Sequence, residues 1–325
     1  MMKRRHFLQA GVLGASALGL ASMFRLDSMF AASPAGSVLP AGTTQSAGAA
    51  LPAQLSIVEG TDIAAAVRTA VQALGGMDAF VSPGDVVLLK PNMSFPNPPE
   101  WGSTTHPDVI REVVRLCAEA GARRIIATDF PMRRSTACLE RSGMTALTGE
   151  MPDLSFVELG EEQQFEVIAS PDTVEFKEIA VAKILQRADV LINLPTAKHH
   201  GGTTVSFGMK NLMGLIYDRR IFHGTYDLSS AVADLAFTIR PQLTIMDAVH
   251  ALLDSGPQGP GTVQTLNYIL AGIDPVAVDA ATLDIAQWAG RTLNPSDVRH
   301  IALAAERGAG SLQIAEHLIS RNTLG

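Results

Sequence analysis

Cysteine is nearly absent. The 325 residues hold two, Cys117 and Cys138, and neither belongs to a CxxC pair. The chain therefore cannot supply four thiolates for an iron–sulfur cluster or a structural zinc site. Cys117 falls on the apolar stripe of a predicted helix and reads as core. A disulfide to Cys138 is open in an oxidising compartment but is not implied by the sequence. Aromatic residues make up only 5%, and 25 Lys and Arg face 32 Asp and Glu, a formal net charge of −7. Few stacking rings and an acidic balance argue against a nucleic-acid partner. No HExxH, GxSxG elbow or solenoid-length repeat occurs, and GPQGPG at 256–261 lacks the lysine of a phosphate loop. After the N-terminus no run of 18 apolar residues appears, so nothing later is expected to span a membrane.

What is present is a globular composition, 47% hydrophobic and 18% charged, preceded by a different kind of segment. Lys3, Arg4 and Arg5 stand before an Ala/Gly/Leu-rich stretch, the layout of an export signal. Arg4-Arg5-His6-Phe7-Leu8 resembles the twin-arginine pattern Arg-Arg-x-Phe-Leu. Residues 1–32 are read as this signal, with small residues near Phe30-Ala31-Ala32-Ser33 as the cleavage region. Residues 33–53, rich in Ala, Gly, Ser and Pro, are read as a flexible linker. The export machinery is the implied partner, and the mature protein is expected in the periplasm or beyond the cytoplasmic membrane. Residues 55–325 are expected to form a single α/β domain with two integrated lobes around a cleft, since no linker-like stretch divides them.

Within 55–325, apolar strands alternate with amphipathic helices. Strands are expected at Leu55–Val58, Asp85–Leu89, Arg124–Thr128, Val190–Leu194, Leu243–Met246 and Asn267–Ala271. Ser155–Leu159 and Val174–Ile179 read as β elements that pair as a hairpin. Helices are expected from Thr61 or Asp62 to Leu74, at Asp108–Ala120, 135–149, 180–187, Leu228–Ile239, after Asp274-Pro275, and near 297–307 and 313–320. Continuous apolar strands joined by helices predict a largely parallel sheet with helices on both faces.

Four of these strands end in chemistry. DVVLL runs into Lys90 and Asn92, RIIAT into Asp129, VLINL into Lys198, His199 and His200, and LTIM into Asp247. If the strands are parallel, these residues converge on the carboxyl edge of one sheet, where open α/β sheets bind ligands. Lys90, Lys198 and Lys210 suit a carboxylate or phosphate. Gly201, Gly202, Gly256, Gly259 and Gly261 allow backbone N–H groups close to an anion. His106, His199, His200, His223, Asp129 and Asp247 offer metal ligands or acid–base groups. Each has a plainer reading: Asp129 before Phe-Pro as a turn residue, and Asp274-Pro275 as a helix start. Asp279, inside an apolar helix, must be exposed or paired. Side-chain alternation lets only one of His199 and His200 face the site, and the residues alone favour His199.

The set Lys90-Pro91-Asn92, Thr104-Thr105-His106-Pro107, Gly121-Ala122, Asp129, the INLPTAKHH run, Met209-Lys210-Asn211-Leu212-Met213-Gly214, His223, Asp247, Gly256-Pro257 with Gly259, and Asp274-Pro275-Val276-Ala277-Val278-Asp279 resembles the domain of unknown function 362 family, in order and spacing from about residue 85 to 311. The resemblance implies a fold and a shared site, not a reaction. In that family Thr-His commonly follows the lysine, so His200 takes the family's histidine position and His199 is the substitution. Some members carry ferredoxin-like cysteine segments, which this chain lacks; a redox partner would have to supply any cluster.

Lys198, His200, Lys210 and Asp247 are thus the candidate catalytic residues. Lys90, Asn92, Thr105, Asn211, Gly256 and Gly259 are the candidate ligand-binding residues, and His106, Asp129 and His223 the candidate metal ligands. The leading expectation is an exported α/β protein with an anion-binding, metal-assisted site at the strand ends, its cofactor unnamed and a divalent metal one candidate. Two alternatives stand beside it: a non-catalytic periplasmic protein that captures a small anion or metal complex, and an accessory subunit of an exported iron–sulfur redox system.

Overall fold

The computed structural model describes residues 53–325; the segment expected to be an export signal and almost all of the expected linker lie outside them. The described chain runs β1 (Leu55–Glu59), α1 (Ile63–Ala73), β2 (Val86–Pro91), α2 (Pro107–Glu119), β3 (Arg124–Asp129), α3 (Ser135–Arg141), α4 (Met144–Glu150), β4 (Leu154–Glu158), β5 (Phe165–Ala169), β6 (Glu178–Ala182), β7 (Val190–Leu194), β8 (Thr196–His200), β9 (Thr204–Val205), α5 (Phe207–Asn211), α6 (Arg219–Gly224), α7 (Leu228–Thr238), β10 (Leu243–Leu252), β11 (Val263–Gly272), α8 (Pro275–Leu283), α9 (Arg299–Glu306) and β12 (Ile319–Thr323). None of these helices is long and apolar enough to cross a membrane.

The protein is an α/β fold built on one large sheet. Its strand order is β12-β1-β11-β10-β7-β2-β3-β4, with β8 and β9 branching from β10. The stretch β10-β7-β2-β3-β4 is parallel throughout. β1 and β10 both run antiparallel to β11. β2 and β7 are buried along their whole length, which explains their unbroken Val, Ile and Leu: a strand covered on both faces has no polar side to alternate. α2 supplies part of that cover. Its Val109, Ile110, Val113, Val114 and Cys117 are buried, and Pro107 starts it behind the cap residue His106. Cys117 and Cys138 are both buried free thiols, and burial pushes them up to about 12 and about 11.

The chain order places the crevice. From β2 the chain winds outward through β3 to β4, whereas β7 lies on the other side of β2. The winding therefore reverses between β2 and β7, the kind of point at which a crevice opens beyond the carboxyl ends of the strands. Pro195 sharpens this break. It lacks an N–H, so β7 stops there, and β8 pairs with β10 instead, with Thr196 opposite Asp247.

Four expectations are corrected. Residues 155–159 do not form a hairpin with 174–179: β4 is the outer parallel strand next to β3, and the hairpin is β5 with β6. Residues 180–187 are the end of β6 followed by a 3-10 turn, not a helix. Residues 313–320 lead into β12, which pairs in parallel with β1. The helix expected over 135–149 is broken in two by Gly143, at φ 80°.

Candidate functional site

Three lysines gather at the switch point, and the number of acceptors around each separates them. Lys90, at the end of β2, is fully buried and ion-paired with Asp129 at 2.9 Å. Its Nζ also donates to the Pro91 carbonyl at 2.8 Å and to Asn211 Oδ1 at 3.3 Å. Three acceptors match three N–H groups, so Lys90 is a saturated ammonium. Burial pulls its pKa down, and Asp129 opposes that pull. Asp129 is occupied as well: Oδ1 accepts from the Phe130 N–H, and Oδ2 from the Met93 N–H at 2.8 Å.

Lys198 is equally buried but lacks a carboxylate. Its Nζ donates to Asn92 Oδ1 at 3.1 Å and to the Ser103 carbonyl at 2.6 Å, and it lies 5.1 Å from the centre of the Phe95 ring. Burial lowers its pKa to about 7; Asp129 opposes that, and Lys210 and Lys90 add smaller downward effects. Lys210, on α5, has one hydrogen-bond partner for its Nζ among the described residues, Met213 Sδ at 3.4 Å. Burial first, then Arg219, brings it to about 8. Among the described residues neither Lys198 nor Lys210 forms an ion pair.

Asparagines tie the strand ends to α5. Asn92 Nδ2 donates to Asn211 Oδ1 at 3.0 Å. Asn211 Nδ2 donates to the Lys90 carbonyl and to Asn193 Oδ1. Thr105 completes the link, receiving the Asn92 N–H and donating to the Leu194 carbonyl. α5 is anchored from behind by Asp279 of α8, whose carboxylate accepts from the Gly208 N–H at 2.7 Å and the Met209 N–H at 3.0 Å. A Cβ on Gly208 would stand 2.7 Å from that carboxylate, so only glycine admits the approach. Burial nevertheless raises Asp279 to about 7.

The histidines are set by backbone donors. Thr196, Lys198 and His200 share one face of β8, and Ala197 and His199 share the other. His199 turns away and accepts the Gly256 N–H on Nδ1 at 3.1 Å. His200 accepts the Gly202 N–H on Nδ1 at 3.0 Å and stacks on His223, their ring centres 6.3 Å apart. Burial first, then Lys210, Lys198, His223 and His199, drive His200 down to about 2. His106 accepts the Asp108 N–H on Nδ1 at 3.2 Å. An imidazole that accepts on Nδ1 carries its proton on Nε2. His106, His199 and His200 therefore each present an Nε2–H donor.

That tautomer suits an anion and not a metal, because a metal-binding imidazole ordinarily donates its other N–H to a second group. Nor do the expected ligands assemble. His106 is a cap residue whose backbone N–H donates to Asp247, Asp129 holds Lys90, and His223 faces His200. Among the described residues no three His, Cys, Asp or Glu side chains gather as a metal-holding set.

Asp247 is buried, and both its oxygens receive backbone N–H groups, from His106 at 2.7 Å and Val249 at 3.0 Å. Burial raises its carboxyl and lowers His106. Gly256 and Gly259 belong to the loop between β10 and β11, where Gly256-Pro257 and Gly259-Pro260 are cis. Gly256 packs against the His199 backbone, and Gly259 near Trp101 and Leu252.

Three contributors were not singled out as site residues from the sequence. Arg219 donates to the Phe130 carbonyl at 2.6 Å and stacks on the Phe130 ring at 4.2 Å. Asn193 left a trace, a polar residue inside an apolar strand. His300, on α9, left none: it is fully buried, neither ring nitrogen has a partner, and burial with Lys210 lowers it to about 3. Two surface clefts, about 320 Å³ beside Asp62 and Arg111 and about 630 Å³ beside Asp254 and Asp284, lie apart from the lysines.

The family described as Domain of unknown function (DUF362) matches residues 87–284. Over 256 residues the chain is 30% identical to a thylakoid-associated protein of Synechocystis sp. (strain ATCC 27184 / PCC 6803 / Kazusa), covering 77% of this chain and 76% of that one. The lactate racemase apoprotein from Thermoanaerobacterium thermosaccharolyticum aligns with a TM-score of 0.42 and 14% identity, over 67% of this chain and 53% of the racemase. This chain thus spans about half of the racemase's length.

Proposed function

The chain belongs to the DUF362 family, membership that brings no reaction with it, and from its own residues we propose an exported protein that binds a small anion at the switch point between β2 and β7. One observation carries this reading. Lys198 and Lys210 sit buried in a cluster with Lys90 and Arg219, and Asp129, the carboxylate that acts on Lys198, is already occupied by Lys90. A buried unpaired cation is costly. A carboxylate or phosphate between Lys210 and His200 would relieve that cost, with the Nε2–H of His200 as a further donor. The half-buried His200 and the exposed His223 and Gly202 are where the cluster reaches solvent. The backbone-set tautomers support an anion over a metal ligand in this role.

The test is calorimetric titration and thermal melting of the mature protein with phosphate, oxalate and lactate, alongside elemental analysis. Stabilisation by at least one anion, weakened tenfold or more in Lys210→Met, is the expected result. No binding at millimolar anion, or a stoichiometric metal in the purified protein, overturns it. Export is tested separately, by fractionation and N-terminal sequencing of the mature chain; an unprocessed cytoplasmic protein removes that part.

A further inference from the structure

The three lysines cannot share one role. Lys90 has three acceptors for three N–H groups. Lys198 has two, both neutral carbonyl oxygens, Asn92 Oδ1 and the Ser103 carbonyl. A neutral amine has two N–H groups and one lone pair. With both N–H groups placed, the lone pair of Lys198 is left over, and no carboxylate pins it as an ammonium. Lys210, on α5, provides a cation beside it, and the flank of Phe95 is apolar. A desolvated lysine next to another cation is the arrangement that makes an amine nucleophilic near neutral pH.

We propose that Lys198 is a nucleophile that forms an imine with a small 2-oxo carboxylate whose carboxylate is held by Lys210. This rests on the anion-site reading above and names its ligand class. The lone pair of Nζ adds to the carbonyl carbon, the N–C bond forms and the C=O π bond becomes a C–O–H. The carbinolamine then loses that oxygen as water, carrying away the two protons that began on Nζ, and a C=N bond remains. No oxidant or reductant is needed. The Nε2–H of His200, on the same face of β8 as Lys198, is placed to donate to the departing oxygen. The groups that face Lys198 are Lys90 from β2, Asp129 from β3, Lys210 from α5 and His200 from β8. Asp129 is the only anion among them and is held by Lys90, so the balance around Lys198 stays positive and calls for an anionic partner.

The experiment treats the mature protein with pyruvate and sodium borohydride, which reduces an imine to a stable secondary amine, and reads the product by intact mass and peptide mapping. The expected result is one adduct per chain on Lys198, absent with lactate, which has the carboxylate but no carbonyl. Trapping should rise about tenfold from pH 6 to pH 8, as an amine that titrates near 7 loses its proton. Lys198→Met should remove the adduct, and the mapping on the unaltered chain decides the question even if that variant does not fold. Adducts spread over exposed Lys177 and half-buried Lys183, or pyruvate that stabilises the protein without being trapped, overturn the proposal while the anion site stands. If neither pyruvate nor lactate stabilises the protein and no adduct forms, both readings fall.

Discussion

Gly214 follows α5, where the Lys90–Asp129 pair presses against the backbone. A Cβ there would fall inside the contact radius of Asp129 Oδ1, 2.6 Å from Lys90 Cε and 2.8 Å from Lys90 Nζ. The Gly214 carbonyl also receives the Phe130 N–H at 2.9 Å. Gly214→Ala leaves two responses. The backbone can retreat and lose that bond, about 1 kcal/mol, or the buried pair can open, about 3–5 kcal/mol. Retreat is blocked because the neighbouring residues Met213 and Leu215 are themselves buried. The larger figure should therefore hold, and with about 2 °C per kcal/mol for a chain of this size the melting temperature should fall by roughly 6–10 °C. Chemical denaturation checks the free energy directly. Gly224→Ala, with nothing within 4 Å of its new Cβ, should stay within about 0.5 kcal/mol of the parent. In an Asp129→Ala background, where the obstructing carboxylate is gone, Gly214→Ala should cost about 1–3 kcal/mol less than in the parent. A Gly214→Ala protein as stable as the parent, or a cost that is unchanged in the Asp129→Ala background, refutes the reasoning.

Three other outcomes are expected. Asp279 holds its proton up to about 7, above the ordinary 3.8. Between those values the folded chain binds a proton that the unfolded chain has lost, so this group's contribution falls as pH rises from about 4 to about 7; Asp274 faces it and adds to the effect. Asp279→Asn should therefore lie furthest below the parent near pH 4 and approach it by pH 7, in melts across that range. Lys198 and Lys210 titrate near 7 and 8 when folded, below the ordinary 10.5. Without anion, stability should rise from about pH 7 towards pH 10 as the unfolded chain binds more protons, and calorimetric anion affinity should fall over the same range; affinity independent of pH would count against both lysines. His300→Leu replaces a buried ring without hydrogen-bond partners and should be neutral or stabilising by about 1–2 kcal/mol, as read by denaturant titration; a large loss would mean the ring has a partner.

Much of this architecture was legible because it is local. VLINL stopped by Pro195 marked β7 to the residue, and the polar ends of four apolar strands pointed to one edge. β4 and β12 were misread for a common reason. LSFVE and ISRNT are mixed, partly exposed strands whose partners, β3 and β1, are fixed by the whole sheet and not by their own pattern. At the site, residue type announced cations but not their partners. Lys90 and Lys198 look alike as letters, and only the fold assigns Asp129 to one of them. Nor did residue type reveal that, of the expected metal set, His106 caps α2, Asp129 holds Lys90 and His223 stacks on His200. Arg219 and His300 offered no periodic or motif signal at all.

β1 pairs with β11, Leu55 opposite Gly272, and on its other side with β12, Leu55 opposite Ile319. The first described strand is thus clasped by two strands made much later in the chain. At about 5–20 residues per second, β1 waits roughly 10–40 s of synthesis before β11 exists. Until then LSIV is an apolar strand with two bare edges, open to chance pairing. The parallel strands β2, β3 and β4 can associate early, but the sheet cannot close at β1 until β11 and β12 have been made. For this molecule, closing the sheet at β1 waits on strands made long after it.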